Sequence, residues 1–131
     1  MSRPFITTVV LLVCFVFTAF QCDEEEYPDY DTELAELNEL KLQIETLAGT
    51  SECNDDTMCK FIAFGSKPCG GPWSYLVYST SINTVELENL VASYNEKENF
   101  FNEKWGIASD CALAQQPTSI TCENNSCVAV Y

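Results

Sequence analysis

The chain of 131 residues has room for one domain and little else, so a multidomain enzyme is excluded. It is strongly acidic, with 20 Asp and Glu against 6 Lys and Arg, and such a field repels nucleic acid and anionic lipid headgroups. Because the chain has no histidine, it also lacks Ser-His and Cys-His nucleophile pairs and histidine-ligated zinc.

The N-terminus predicts export. An uncharged, largely apolar run over residues 5–20 follows Arg3. Its length suits a secretion signal better than a membrane-spanning helix, which needs about 20 apolar residues. We therefore predict a signal peptide over residues 1–21, with an uncleaved membrane anchor as the lesser alternative.

The end of this signal carries a cysteine, in the sequence TAFQC. A cysteine at such a junction resembles the lipobox of bacterial lipoproteins, in which the cysteine is lipidated and becomes the mature N-terminus. Gln21 stands where that family prefers a small residue, but Phe17 and Phe20 leave no good site for ordinary signal peptidase. The resemblance implies lipidation at Cys22, and a soluble secreted protein is the alternative.

An acidic segment follows the cysteine at once. Ten of the 20 acidic residues fall between Asp23 and Glu45, with Lys41 as the one positive charge among them. The start of this run resembles the tethers of surface-displayed lipoproteins in the Bacteroidota, and we interpret it as a solvated spacer. We assign residues 22–31 to this acidic tether and residues 32–131 to a single domain.

A first helix is predicted directly after the tether. It begins at a capping residue, Asp31 or Thr32, and ends near Gly49. Its apolar face consists of Leu34, Leu37, Leu40, Ile44 and Leu47.

A second helix has clearer end signals. It begins at Asn83, with Glu86 three residues later in a pattern like a capping box, and it ends at Gly106. Its apolar stripe consists of Leu87, Leu90, Val91, Tyr94, Phe101 and Trp105. We interpret these aromatic residues as core, because the helix must bury this stripe.

Four strands are predicted in two pairs. KFIAF and SYLVYS lie on either side of a turn with the sequence Gly-Gly-Pro, and SITCENNSCVAVY contains two strand-like runs around ENNS. The fold class is therefore α+β. We predict a small disulfide-stabilised monomer in which two helices pack on an antiparallel sheet of about four strands.

Six cysteines of the predicted domain indicate a disulfide framework, since the chain is small, exported and has an even number of them. They are Cys53, Cys59, Cys69, Cys111, Cys122 and Cys127. Sequence alone does not choose among the possible pairings. Two pairs can close locally, Cys122–Cys127 across the hairpin loop and Cys53–Cys59 around a polar turn. Cys69–Cys111 then remains.

Cys69 lies in the sequence GSKPCGGPW and raises the alternative of a reactive thiol. The chain contains no Cys-x-x-Cys pair, and Lys67 is the only nearby cation that could lower the pKa of this thiol. A bridge to Cys111 is worth about 4 kcal/mol on the chain-entropy model, against about 2 kcal/mol for each short bridge. We therefore interpret Cys69 as the anchor of the turn.

These motifs also support a resemblance. GSKPCGGPWSYLVYS, the later Ser109-Asp110-Cys111 and the closing cysteine pair resemble a family of uncharacterised bacterial extracytoplasmic lipoproteins of the Bacteroidota type. The resemblance covers residues 53–131. It implies a disulfide-bonded domain at the outer membrane or cell surface, attached through its N-terminal lipid, and it implies no known activity.

The predicted function is a non-enzymatic binding domain for an unknown protein or glycan partner, with a hydrolase inhibitor as a narrower form. Trp73, Tyr75 and Tyr78 follow the turn, and such amphipathic aromatic residues are typical of binding hot spots. Alternation along the strand places Trp73 and Tyr75 on one face and Tyr78 on the other. The alternative is that one of these faces belongs to the core.

No catalytic residue, cofactor or metal ligand is predicted with this function. A different class, a small envelope hydrolase that uses carboxylates, is the alternative. Its candidates are Asp55 with Asp56 and Glu96 with Glu98. A thiol redox protein is a third and lesser alternative.

Overall fold

The computed structural model describes residues 27–131 of the chain. The predicted signal peptide and Cys22 lie outside these residues. The elements in chain order are α1 (Tyr30–Gly49), β1 (Cys59–Phe64), β2 (Ser74–Ser79), α2 (Thr84–Trp105), β3 (Ser119–Glu123) and β4 (Ser126–Val130). Neither of the two described helices is both long enough and apolar enough to cross a membrane.

Helix α1 begins earlier than predicted. Asp29 is its N-cap, and the Asp29 carboxylate accepts a hydrogen bond from the Thr32 backbone N–H at 2.9 Å. The expected caps, Asp31 and Thr32, therefore lie inside the first turn. The helix starts within the range assigned to the tether, so the folded part of the chain begins before residue 32.

Helix α2 has the ends that the sequence predicts. The side chain of Asn83 accepts a hydrogen bond from the Glu86 N–H at 3.2 Å and donates one to the Glu86 carboxylate. At the other end Gly106 has a φ of 62°, and its N–H donates to the Asn102 carbonyl. Glycine adopts this left-handed conformation without the penalty that a Cβ imposes.

The core lies between the two helices and the sheet formed by β1 and β2. Its buried members are Leu37, Ile44, Ala48, Phe64, Tyr78, Leu87, Val91, Tyr94 and Phe101. The predicted apolar faces of both helices thus pack where an amphipathic helix must pack, against each other and against the sheet.

The four strands form two hairpins, not one continuous sheet. β1 pairs antiparallel with β2, and β3 pairs antiparallel with β4. Asn124 and Asn125 join β3 to β4 and have positive φ angles of 50° and 64°, as a two-residue type I′ turn requires. The α+β class and the two helices with four antiparallel strands are as predicted.

Two of the expected disulfides are wrong. The structure pairs Cys53 with Cys122 and Cys59 with Cys127, in place of Cys53–Cys59 and Cys122–Cys127. The reason is that no residue of β3 or β4 is buried, so the hairpin has no core of its own to hold it. Both cross-links instead tie this hairpin to the rest of the domain.

The observed bridges stabilise the folded domain more than the two local bridges would. The bridges Cys53–Cys122 and Cys59–Cys127 span sequence separations of 69 and 68 residues. On the chain-entropy model each constrains the unfolded chain by about 4 kcal/mol, against about 2 kcal/mol for a local bridge. The third bridge is Cys69–Cys111, the pair expected from the sequence, with a Cα–Cα distance of 5.4 Å.

Candidate functional site

The turn after β1 is fastened to the segment after α2 at two points. Cys69 is bonded to Cys111, and Lys67 pairs with Asp110 at 2.9 Å. The Lys67 ammonium also donates to the Ala112 carbonyl at 2.7 Å. The Lys67 side chain is only 10% exposed, so these partners compensate for the water that a buried charge loses. The hydrogen bond from Lys67 lowers the pKa of the Asp110 carboxyl.

Side chains of α2 bind the backbone at the start of the same turn. The Asn95 side chain accepts from the Gly65 N–H at 2.7 Å and donates to the Ala63 carbonyl. Asn102 donates to the Ser66 carbonyl at 2.7 Å, and Glu98 accepts from the Ser66 N–H. The loop therefore has a defined conformation, because its backbone groups are bonded to a rigid helix.

Gly65 is required by this arrangement. It has a φ of +82°, and a Cβ atom built on it would lie 2.5 Å from Cδ1 of Trp73 and 3.0 Å from the Glu98 carboxylate. Its backbone thus approaches the indole more closely than any other residue could. Gly65 sets the position of the Trp73 ring.

Beside Trp73 the surface forms an open cleft of about 330 Å³. It is lined by Lys41, Glu45, Phe64, Gly65, Trp73, Ser74, Tyr75, Leu76, Tyr94 and Glu98. We call it the Trp73 cleft. Both helices, both strands of the first sheet and the turn contribute to it. Two of the three predicted aromatic residues, Trp73 and Tyr75, therefore lie together in one concave site.

The aromatic side chains of this cleft have fixed neighbours. The Lys67 ammonium lies 5.0 Å from the centre of the Trp73 ring, a cation–π distance. Tyr75 makes an edge-to-face contact with Phe61, at 5.8 Å between ring centres. Trp73 remains 44% exposed despite its contacts. It is thus an accessible aromatic surface on a supported loop.

At the floor of the cleft Tyr94 donates a hydrogen bond to Glu98 at 3.0 Å. Burial, followed by the charge and hydrogen bond of Glu98, raises the pKa of the Tyr94 hydroxyl well above its ordinary value. Tyr94 is therefore a hydrogen-bond donor at neutral pH. Both oxygens of Glu98 already accept bonds from the protein, from Tyr94 and from the Ser66 N–H.

Tyr78 does not belong to the predicted binding surface. It is only 2% exposed and lies in the core, because it projects from β2 on the side covered by the helices. Its hydroxyl donates to Glu88 at 2.7 Å, and Glu88 also accepts from Lys60 at 3.1 Å. Burial, and then the hydrogen bond to Glu88, raises the pKa of Tyr78, so the hydroxyl stays protonated.

Of the four carboxylates predicted as catalytic candidates, one lies in the Trp73 cleft. Asp55 and Asp56 lie exposed in the turn before β1 and do not line the cleft. Glu96 is exposed on α2, whereas Glu98 lies in the Trp73 cleft together with Glu45 of α1. Glu45 was not predicted, because only the folded chain shows that this face of α1 meets the turn.

Lys67 and Asp110 were also not predicted to meet. Their positions offer a usable signal, since Lys67 lies just before Cys69 and Asp110 directly precedes Cys111. A disulfide brings the neighbours of its two cysteines together, so opposite charges on both sides indicate an ion pair. The motif residues therefore have a structural role. The ion pair Lys67–Asp110 and the disulfide Cys69–Cys111 fix the turn to the segment after α2, next to the cleft.

All six cysteines within residues 27–131 are in disulfides, so this part of the chain holds no free thiol. Three disulfides indicate that the domain matures in an oxidising environment outside the cytoplasm. No protein-family model matches the chain, and no curated protein and no solved structure is significantly similar to it.

Proposed function

We propose that this protein is a non-enzymatic binding domain displayed outside the cytoplasm, and that its Trp73 cleft binds a glycan unit of its partner. The observation that carries the proposal is the exposed Trp73 ring in a concave site whose walls also contain carboxylate, ammonium and hydroxyl groups. The domain acts as a monomer. A protein partner, including a hydrolase that the domain inhibits, is the competing form of the same function.

The chemistry of the cleft suits a sugar ring. The C–H face of a sugar can stack on the indole of Trp73 or the ring of Tyr75. Its hydroxyl groups can hydrogen-bond with Ser74, Glu45 and Lys41, which line the same cleft. A volume of about 330 Å³ is at the lower end of the range for small-molecule sites. Its concave shape favours one ring over the flat surface of a folded protein.

The site is also largely pre-formed. Gly65, the Lys67–Asp110 pair and the Cys69–Cys111 bridge all restrain the loop that carries Trp73. A loop that is ordered before binding loses little conformational entropy when a ligand arrives. This supports recognition of a ligand and does not require a catalytic group.

We also propose a location for the protein. It is anchored by a lipid at Cys22 and displayed at the bacterial outer membrane or cell surface. This location is supported by the apolar N-terminal run, the cysteine at its end and the acidic segment that follows. The disulfides are consistent with such a compartment. An anchored domain at that place meets surface polysaccharides at high local concentration.

The test is a glycan array probed with the mature protein and with two variants. Trp73→Ala removes the exposed ring of the cleft, and Phe100→Ala removes an aromatic side chain that is 60% exposed elsewhere. We expect binding of a defined glycan that falls at least about tenfold in Trp73→Ala and is unchanged in Phe100→Ala. Equal binding by both variants would show that the cleft is not the site.

Absence of any glycan binding would point to the protein-partner form. Chemical cross-linking on intact cells would then identify the partner, and Trp73→Ala should abolish the cross-link. A cross-link that survives Trp73→Ala would overturn the cleft as the binding site for either class of ligand.

A carboxylate hydrolase is the second candidate, because Glu45 and Glu98 line the same cleft. Two carboxylates on either side of a glycosidic bond are the usual catalytic pair. Against it, both oxygens of Glu98 are occupied by protein donors. The distinguishing measurement is the mass of a bound oligosaccharide after prolonged incubation. A binding domain leaves it intact, and a hydrolase shortens it in a way that Glu98→Gln prevents.

A further inference from the structure

Two carboxylates lie beside the aromatic rings of the Trp73 cleft, Glu45 from α1 and Glu98 from α2. A Cβ atom at Gly65 would lie 2.5 Å from Cδ1 of Trp73 and 3.0 Å from a Glu98 oxygen, so this carboxylate lies next to the edge of the indole. Burial, then Glu98 by charge and hydrogen bond, and then the charge of Glu45 raise the pKa of the Tyr94 hydroxyl. Both acids therefore act on the same point at the floor of the cleft.

Neither carboxylate is neutralised by an ion pair in the part of the chain that the structure describes. The ion pairs among residues 27–131 are Lys60–Glu88, Lys67–Asp110 and Lys104–Glu33. Glu98 accepts from the Tyr94 hydroxyl and the Ser66 N–H, which are neutral donors and leave its charge in place. Each oxygen of a carboxylate has a second lone pair that can accept a further hydrogen bond. The two acids can thus bind a charged donor of a ligand.

The lining of the cleft has a net negative charge. Lys41 adds one positive charge to the two carboxylates, and its side chain is exposed to solvent. Lys67 lies over the Trp73 ring but does not line the cleft, and its charge is paired with that of Asp110. The faces of aromatic rings also attract cations, as the position of Lys67 illustrates. The cleft therefore favours a ligand that has a positive charge next to an apolar face.

We propose that the glycan unit bound in the Trp73 cleft carries a free amino group, so that the ligand is a non-acetylated amino sugar. This inference rests on the proposed binding function and names the class of sugar. One hexosamine ring supplies both features, an ammonium group for Glu45 and Glu98 and a C–H face that stacks on Trp73. An N-acetylated sugar has the same ring but no charge, and it leaves both carboxylates without a cation.

The test compares oligomers of glucosamine and of galactosamine with their fully N-acetylated counterparts of equal length, by calorimetric titration of the mature protein. We expect a free-amine oligomer to bind at least about tenfold more tightly than its acetylated counterpart, because acetylation removes the charge. Equal binding of the two forms that is lost in Trp73→Ala would overturn the amino-sugar assignment and leave the proposed function intact. No binding of any of these oligomers would also overturn the assignment, and the glycan array then decides the wider function.

The variant Glu45→Gln tests the charge while it keeps the shape of the side chain. It should weaken binding of the free-amine oligomer about fivefold and leave binding of the acetylated one unchanged. Glu96→Gln is the matched control, since it removes the same charge from an exposed position of α2 outside the cleft. An equal loss in both variants would show that the overall acidity of the protein attracts the amine, and would overturn the site.

A lysine side chain of a protein partner carries the same ammonium group as an amino sugar. Competition between a trilysine peptide and the free-amine oligomer separates these two sources. The peptide should not displace the oligomer at equal concentration, because it has no sugar ring to stack on Trp73. Displacement by the peptide would overturn the sugar as the source of the cation.

Discussion

At the scale of single residues, the shape of the candidate site depends on residues that position its loop. Gly65 lets the loop pass against the Trp73 ring, and Lys67 and Cys69 fix the loop to the segment after α2. The sequence predicted Trp73 and Tyr75 from their chemistry and their place after the turn. It could not show that Tyr78 is buried, because its burial depends on which face of β2 the helices cover.

Gly65→Ala should destabilise the protein and displace Trp73. Its positive φ alone costs an alanine about 1–3 kcal/mol, and the added Cβ would also clash with the indole. Gly49→Ala is the matched control, since a Cβ there meets nothing within 4 Å. Urea unfolding, monitored by tryptophan fluorescence, measures the free energy of unfolding of the two variants. Equal stability of the two variants would contradict the close packing described for Gly65.

Tyr78→Phe tests the buried hydroxyl. It should cost about 1 kcal/mol at neutral pH through the lost hydrogen bond to Glu88. Because folding raises the pKa of Tyr78 above its ordinary value of 10.0, its contribution is fully present below that pH and is lost as the pH rises above it. The free energy of unfolding should therefore fall less steeply above pH 10 in Tyr78→Phe than in the wild type. Identical slopes would contradict a protonated Tyr78.

At the scale of elements, local signals predicted both helices and all four strands, although α1 is capped by Asp29 and not by Asp31 or Thr32. Asn83 and Gly106 mark the ends of α2 through bonds to residues within a turn, so the sequence contains all the partners. The disulfides of Cys53 and Cys59 join residues far apart in the chain. Local spacing favoured the wrong partners, because it does not reveal that the C-terminal hairpin lacks a core.

Replacing Cys53, Cys59, Cys122 and Cys127 by serine should release the β3–β4 hairpin. Each lost bridge is worth about 4 kcal/mol on the chain-entropy model, and the exposed hairpin has little buried surface to compensate. Hydrogen exchange of the amides in β3 and β4 should become fast. In the control, Cys69→Ser/Cys111→Ser, the hairpin should stay protected. A protected hairpin in the fourfold variant would show that packing suffices.

At the scale of the whole molecule, acidic residues outnumber basic ones, and several of them form ion pairs with lysines. These pairs join segments that are far apart in the chain. Glu33 of α1 accepts from Lys104 at 2.6 Å and from the Trp105 indole N–H at 2.7 Å. The hydrogen bond from Lys104, and then the one from Trp105, lowers the pKa of Glu33. Glu88 and Asp110 make comparable pairs with Lys60 and Lys67.

These pairs make folding sensitive to acid. A carboxyl group whose pKa is lowered by folding contributes its stability above the ordinary value, 4.5 for Glu33, and loses it as the pH falls through the lowered one. The thermal midpoint should therefore decrease below about pH 4.5, and Glu33→Gln should have a flatter profile than the wild type. A profile unchanged by Glu33→Gln would show that this pair contributes nothing.

The proposed binding function requires a fully cross-linked domain held outside the cytoplasm. The most direct test isolates the protein from its native membrane and soluble fractions, alkylates it without reduction and measures its intact mass. We expect a membrane-bound form with the mass of residues 22–131 plus a lipid, and no alkylated cysteine. A soluble form without lipid would contradict the proposed anchor at Cys22, and a single alkylated thiol at Cys69 would contradict the Cys69–Cys111 bridge.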